Sequence, residues 1–136
     1  AGLDRLELSN KISQTFSTAE MLPAAAQGVI GIECLKQKAE IIDVVSKLND
    51  FETEVTTTCE RSINSALLAD CHSPIGSYAT YANGKCSLES IVISPDGSLE
   101  ARDSVTGSAN NAEELGLELA DRLRQIGAIE ILKLAR

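Results

Sequence analysis

The residue best suited to covalent chemistry is Cys71, which lies in the stretch LLADCHSPIGSYA at residues 67–79. A deprotonated thiol is a soft nucleophile, and the charges around it govern how readily it forms. The neighbours act in opposite directions, because Asp70 disfavours the thiolate whereas a protonated His72 favours it. Loops held between rigid elements often carry reactive groups, although by residue type alone a loop cysteine is more often inert.

A cysteine hydrolase is the obvious alternative for Cys71. Such a site needs a base within hydrogen-bond reach of the thiol and a third group that orients the base. His72 is the only histidine in the chain, and it directly follows Cys71. Because adjacent side chains on an extended loop usually diverge, we expect no hydrolytic Cys–His pair.

A second stretch, LPAAAQGVIGIE at residues 22–33, places small residues and Gln27 directly before an apolar run. Small side chains allow a backbone or a ligand to approach closely. Gln27 could therefore present its amide at the entrance of a strand. A tight structural turn would have the same composition, so both interpretations stay open for this stretch alone.

The cysteines do not predict a cross-linked scaffold or a metal centre. They are irregularly spaced, with no CxxC, at Cys34, Cys59, Cys71 and Cys86. A disulfide scaffold would be denser in cysteine, and a zinc site needs closely paired ligands. We expect reduced thiols and no metal, with Cys59 in the core and Cys86 in packing or at the surface.

Charge and hydropathy exclude two classes of partner. The formal net charge is −8, from 20 acidic and 12 basic residues, which disfavours nucleic acid. No run of about 18 apolar residues is present, so we expect no membrane segment. The expected reduced thiols indicate a cytoplasmic location. The chain begins with Ala1 rather than Met, and we expect a fragment of a longer protein.

Periodicity predicts the elements that position these residues. Residues 1–9 are typical of the end of a helix, residues 28–34 of a buried strand, and residues 38–48 of a helix. A longer helix is predicted from Phe51 to about Ala69, with Asp50 as its cap. Its apolar stripe comprises Phe51, Val55, Cys59, Ile63, Ala66 and Leu67.

After Pro74 the pattern changes to three strands, at residues 78–82, 87–94 and 98–106. Asn83-Gly84 and Pro95-Asp96-Gly97 separate them, which predicts an antiparallel meander. Asn110 or Asn111 then caps a last helix, which Gly127 ends before a short helical tail. Its predicted buried stripe comprises Ala112, Leu115, Leu119, Leu123 and Ile126.

The predicted fold class is α+β. A small three-stranded antiparallel sheet is covered by helices, and a strand–helix remnant of upstream α/β domains precedes it.

Taken together, the motifs resemble those of the hydroxymethylbilane synthase (porphobilinogen deaminase) family. LPAAAQGVIGIE is similar to LPA-x-GQGA-x-GIE, and TCER at residues 58–61 is similar to T-A-E-R. LLADCHSPIGSYA is similar to L-x-G-G-C-x-x-P-I-x-x-Y-A. SPDG at residues 94–97 resembles the family's PDG turn, and NAEELG at residues 111–116 resembles D-A-E-x-x-G. The matches occur in the family's order and cover essentially the whole chain.

The resemblance implies a transferase of tetrapyrrole (heme) biosynthesis that polymerises four porphobilinogen molecules, with release of ammonia, to hydroxymethylbilane. It implies a dipyrromethane cofactor joined to Cys71 through a thioether, formed when sulfur attacks the methylene carbon of an azafulvene. Chain growth would occur on the far pyrrole, so Cys71 would be a permanent tether. Gln27 falls where the family has a glutamine near the cofactor.

The resemblance also implies three domains. Residues 1–26 would be the tail of the second domain and a connector, residues 27–49 a strand–helix segment of the first domain, and residues 50–136 the C-terminal domain carrying the cysteine. The catalytic aspartate and the substrate-binding arginines would lie upstream. The missing N-terminal domains, porphobilinogen and the growing pyrrole chain would be the partners, and this chain alone would be inactive.

The intact enzyme is expected to be a monomer. In this chain, the apolar segment Val29 to Cys34 would pair with another copy, repack or lose order, because the neighbours of a buried strand would be missing.

Two positions depart from the family pattern, where Ala69-Asp70 replaces Gly-Gly and Ala26 replaces the first glycine of GQG. A positive φ would strain Ala69 more than Asp70. The alternative from another class is a small ligand-binding or regulatory α+β domain without catalysis, since this layout hosts many functions.

Overall fold

A computed structural model describes residues 2–135 and confirms the α+β class. The helices are α1 (Gly2–Arg5), α2 (Ala39–Val45), α3 (Phe51–Ala66), α4 (Ala112–Gln125) and α5 (Ala128–Lys133). The strands are β1 (Ile75–Ala82), β2 (Lys85–Ile93) and β3 (Glu100–Ser108), and short 3₁₀ turns lie at Ser9–Lys11, Ser46–Leu48 and Ala109–Asn111. In the part of the chain so described, no helix is long and apolar enough to cross a membrane.

The predicted meander is confirmed, because the strands pair antiparallel in the order β1-β2-β3. Asn83 and Gly84 connect β1 to β2 with φ values of 51° and 75°, as a two-residue hairpin turn with matching strand twist requires. Strand β1 begins three residues earlier than predicted, because Ile75 pairs with Val92 across the ladder.

The core lies between the sheet and a helical layer made by α3 and α4, with α5 against β2 and β3. Four of the five residues predicted for the α4 stripe are buried. Ile126 is the exception: α4 ends at Gln125, and Gly127, with φ 98°, turns the chain away, so Ile126 is exposed. Asn111 occupies the N-cap of α4 but makes no side-chain cap bond. Instead, Ser108 Oγ accepts from Asn110 N at 3.3 Å.

Helix α3 begins where predicted, and Asp50 Oδ1 accepts a hydrogen bond from Thr53 N at 2.8 Å. Phe51, the first residue of the predicted apolar stripe, is exposed. Its ring packs edge-on against the Tyr81 ring, with centroids 5.9 Å apart. The helix ends at Ala66, three residues early.

The buried strand predicted at residues 28–34 is not formed. This segment is irregular and exposed, and helix α2 follows it as predicted. A strand needs hydrogen-bonding neighbours, and none of the strands in residues 2–135 pairs with this segment. Of the helical end predicted for residues 1–9, a single turn forms at Gly2–Arg5; Ala1 lies outside the described residues.

Candidate functional site

Cys71 is exposed on the loop that joins α3 to β1, residues 67–74, which we call the cysteine loop. Side-chain hydrogen bonds fix the shape of this loop. Asp70 Oδ1 accepts from His72 N at 2.9 Å and from Ser73 Oγ at 3.0 Å, and Asp70 N donates to Ser73 Oγ at 2.9 Å. The Asp70 carboxylate therefore organises the turn that presents Cys71.

The Cys71 and His72 side chains meet, contrary to the divergence expected from their adjacency. Cys71 Sγ lies 3.4 Å from His72 Nδ1, within hydrogen-bond range for sulfur. The expectation assumed an extended loop, whereas the hydrogen bonds of Asp70 make the backbone turn at this point. The two side chains therefore form a hydrogen-bonded pair, in which the tautomer of His72 decides which group donates.

The positive φ that would have strained Ala69 does not occur at that residue. Leu68 has a φ of 52°, and neither Ala69 nor Asp70 has a positive φ. Leu68 follows the C-cap Leu67 of α3, a position where helices often end in the left-handed region. The Ala69-Asp70 sequence therefore fits the cysteine loop without strain.

The stretch around Gln27 is attached to the free edge of β1. Ser77 N donates to Pro23 O at 2.8 Å, so the segment of residues 22–28, here called the connector, covers part of that edge. A Cβ added at Gly76 would lie 2.9 Å from Leu22 O, which shows how closely the two backbones approach. Gly76 therefore permits the connector to pack against β1.

Glu60 joins the connector, α3 and β1. Its carboxylate accepts from Ala26 N at 2.6 Å and from Ala79 N at 2.8 Å, and only 7% of the residue is exposed. Burial raises the pKa of Glu60 above its ordinary value, while the two backbone hydrogen bonds act to lower it. Sequence reasoning missed this residue, although Glu60 falls on the buried stripe, three residues before Ile63 and seven before Leu67.

Gln27 is exposed in a tight turn of the connector. Ala26 and Gly28 flank it with φ values of 60° and 85°, so Ala26 adopts a conformation that favours glycine, the residue the family has there. Connector and cysteine loop border the same groove, lined by Ala25, Ala26, Arg61, Asn64, Ser65 and Ala69. The two stretches singled out in the sequence are therefore neighbours in the fold.

The other three cysteines lie in environments unlike that of Cys71. Cys59 and Cys86 are 0% exposed, which confirms Cys59 as a core residue and places Cys86 in packing. Cys34 is exposed but lies in the irregular segment before α2. Among residues 2–135, no three His, Cys, Asp or Glu side chains form a group able to hold a metal ion.

The fold and the site define an α+β domain that presents a thiol on a fixed loop and packs a connector against its sheet edge. A family model described as "Porphobilinogen deaminase, C-terminal domain" matches residues 54–125. A second, described as "Porphobilinogen deaminase, dipyromethane cofactor binding domain", matches residues 1–43. The chain belongs to the porphobilinogen deaminase family, a family of transferases in tetrapyrrole biosynthesis. The resemblance carried by the five motifs is thus confirmed.

Proposed function

We propose that Cys71 is the covalent anchor of the dipyrromethane cofactor, bound through a thioether. The observation that carries this proposal is the exposure of the Cys71 thiol on a loop held by the hydrogen bonds of Asp70 and Ser73. The second family match, to a domain described by this cofactor, supports the presence of the group in the enzyme.

The residues present fit such a group at one position better than at the others. A thioether to a two-ring molecule requires a sulfur that opens to solvent, so the fully buried Cys59 and Cys86 do not qualify. Cys34 is exposed, but no regular element surrounds it. Cys71 combines exposure with a backbone held by hydrogen bonds. Ala69 of the cysteine loop and Ala26 of the connector line one groove, and we propose that Gln27, next to Ala26, offers its amide to the cofactor.

The residues of this chain have distinct tasks in the proposal. Cys71 Sγ forms the thioether bond to a methylene carbon of the cofactor. His72 Nδ1, which lies 3.4 Å from Sγ, accepts the proton that the thiol loses. Glu60 fixes the turn that carries Gln27, through its hydrogen bond from Ala26 N. When bound, the cofactor supplies the free pyrrole position on which substrate units are added.

The full reaction is proposed to need other domains of the same enzyme. Residues 1–26 are assigned to the tail of the second domain and the link that follows it, residues 27–49 to a strand–helix segment of the first domain, and residues 50–136 to the C-terminal domain. The catalytic aspartate and the arginines for the pyrrole carboxylates are assigned to those other domains. This chain alone therefore does not convert porphobilinogen to hydroxymethylbilane. In the intact enzyme, which we place in the cytoplasm, Cys71 holds the growing pyrrole chain through the cofactor.

Intact mass and peptide mapping test the anchor. Trypsin separates the four cysteines, and residues 62–85 form a peptide with Cys71 as its one cysteine. In the intact enzyme isolated from cells that make porphobilinogen, we expect a two-pyrrole adduct on this peptide. We expect no hydroxymethylbilane when the 136-residue chain alone is given porphobilinogen.

Cys71→Ser is expected to abolish the adduct, and Cys34→Ser, which removes the other exposed thiol, is expected to retain it. An adduct on the peptide of residues 12–36, or one that persists in Cys71→Ser, would contradict the anchor. Release of hydroxymethylbilane by the chain would contradict the assignment of the catalytic groups to other domains.

A further inference from the structure

Two thiols that the proposed function does not use face each other inside the core. Cys59 on α3 and Cys86 on β2 place their Sγ atoms 3.0 Å apart, and both residues are 0% exposed. Helix α3 and strand β2 are separated in sequence but pack together in the fold. The segment between the two cysteines contains the cysteine loop and the whole of β1.

We propose that Cys59 and Cys86 form an oxidisable pair that closes into an intrachain disulfide, a modification site separate from the anchor at Cys71. The two sulfurs are already in contact, so bond formation needs only a small movement of two side chains. The product joins α3 covalently to β2 and closes a ring that contains the cysteine loop.

Burial restricts which oxidant can reach the pair. With both residues at 0% exposure, a bulky disulfide such as oxidised glutathione has no access to either sulfur in the folded chain. Hydrogen peroxide is small enough to enter through fluctuations of the core, and we assign it as the oxidant.

The reaction with peroxide balances in two steps. One sulfur attacks a peroxide oxygen, the O–O bond breaks, and the thiol becomes a sulfenic acid as one water leaves. The second sulfur attacks the sulfenic sulfur, the S–O bond breaks, and a second water leaves with the disulfide formed. Two thiols and one peroxide thus give one disulfide and two waters.

The pair is expected to react slowly. The hydrogen bond with Cys86 and burial hold the pKa of Cys59 well above its ordinary value, whereas the same hydrogen bond lowers the pKa of Cys86. Since the thiolate is the reactive form, Cys86 is the sulfur that attacks the peroxide first, and the burial of both sulfurs limits how fast peroxide reaches it.

The test uses the folded 136-residue chain. Iodoacetamide first blocks the exposed Cys34 and Cys71, and hydrogen peroxide is then added and removed. The chain is next denatured in urea that contains N-ethylmaleimide, which alkylates every thiol that is still reduced. Trypsin without reductant places Cys59 in the peptide of residues 48–61 and Cys86 in that of residues 86–102. We expect these two peptides to be joined, two hydrogen atoms lighter than their sum, and to separate on reduction.

A second measurement reports on the folded state. A disulfide closing a loop of this size should raise the melting temperature by roughly 10 °C, and a reductant should reverse the shift. Cys86→Ala, which keeps an apolar side chain at the position, should show neither the joined peptides nor the shift.

The peroxide dose is set so that it fully oxidises Cys71 in a sample not treated with iodoacetamide. If the Cys59 and Cys86 peptides both carry N-ethylmaleimide after that dose, the two thiols have stayed reduced and the proposal is overturned. A joined pair of any other two peptides would also overturn it. Both readouts come from the unmutated chain, so they stand even where Cys86→Ala does not fold.

Discussion

At the scale of single residues, the pKa of the buried Glu60 carboxylate results from two opposing effects. Burial disfavours its charge, and the hydrogen bonds from Ala26 N and Ala79 N favour it. Burial is the larger effect, so the pKa is raised. The carboxylate nevertheless satisfies two backbone donors, one in the connector and one on the edge of β1. Loss of the acceptor would therefore affect the stability and the position of the connector together.

Glu60 is predicted to give the stability of the chain a measurable dependence on pH. A folded-state pKa above the ordinary 4.5 means that the folded state binds the proton more tightly than the unfolded state. The free energy of unfolding contributed by Glu60 is therefore largest below pH 4.5 and falls as pH rises through the raised pKa. Glu60→Gln lacks this titration. The free energy of unfolding of the wild type minus that of Glu60→Gln, measured by urea denaturation, should therefore decrease as the pH rises from 4.5 through the raised pKa.

Glu60→Ala serves as the companion variant, because it leaves both backbone donors without an acceptor. We expect it to lose about 2–4 kcal/mol of unfolding free energy at neutral pH. A difference between wild type and Glu60→Gln that stays constant or increases with pH would contradict the raised pKa.

Residue types and spacing were sufficient to predict that Cys71 lies in a short loop after α3, but not the contacts around it. The contact with His72 and the left-handed Leu68 both depend on how the chain turns within the cysteine loop. That turn is set by the Asp70 side chain, whose hydrogen bonds compete with extended backbone. The TCER motif included Glu60 but did not reveal its role, because the backbone groups that it binds lie on the connector and on β1.

At the scale of elements, the sequence predicts best where the signal is local. Asp50 caps α3, Asn83-Gly84 turns the hairpin, and Gly127 ends α4, each as its own chemistry requires. The prediction of a strand at residues 28–34 was wrong, because strand formation depends on partners that the sequence of the segment does not contain. Periodicity alone could not distinguish an apolar strand from an apolar irregular segment.

Gly116 provides a test of the contact between α3 and α4. A Cβ added there would lie 2.5 Å from Ser62 Cβ and 2.6 Å from Cys59 O. Replacing glycine by alanine inside a helix normally stabilises it by about 1 kcal/mol, whereas overpacking costs about 1–3 kcal/mol. Because the clash includes a backbone carbonyl that cannot swing aside, we expect Gly116→Ala to lower the free energy of unfolding by about 1–2 kcal/mol.

Chemical denaturation of Gly116→Ala and Gly31→Ala side by side measures this effect. Gly31 is the matched control, because no atom lies within 4 Å of its added Cβ and its φ is not positive. A Gly116→Ala chain as stable as the unmutated chain would show that α3 and α4 can separate without cost.

At the scale of the whole molecule, burial is unevenly distributed along the chain. Every buried residue between positions 2 and 135 lies at position 55 or later. The earlier residues include many exposed large apolar side chains, among them Val29, Ile30, Ile32, Leu35, Val44 and Leu48. The connector attaches this part to the folded core through Pro23 and Ala26. Cooperative stability is therefore concentrated in residues 50–135.

Limited trypsin digestion should reveal this division directly. Lys36, Lys38 and Lys47 are exposed on segments without buried side chains, so local opening there costs little free energy. Arg61 lies within α3, and Arg102 and Arg122 are held by ion pairs with Glu89 and Asp103. Cleavage after the three lysines should precede cleavage after the arginines by at least about tenfold in rate, since each 1.4 kcal/mol of opening free energy gives a factor of ten.

The expected early product begins at residue 37, 39 or 48 and retains α3, the sheet, α4 and the Cys71 peptide. In urea, where both regions are unfolded, the lysine and arginine sites should be cut at similar rates, which controls for the preference of trypsin itself. Cleavage after Arg61 as early as after Lys36 in the native chain would mean that α3 opens as freely as the segment before it. In that case the cysteine loop, which begins one residue after α3, could not be held in the fixed geometry that the anchor at Cys71 requires.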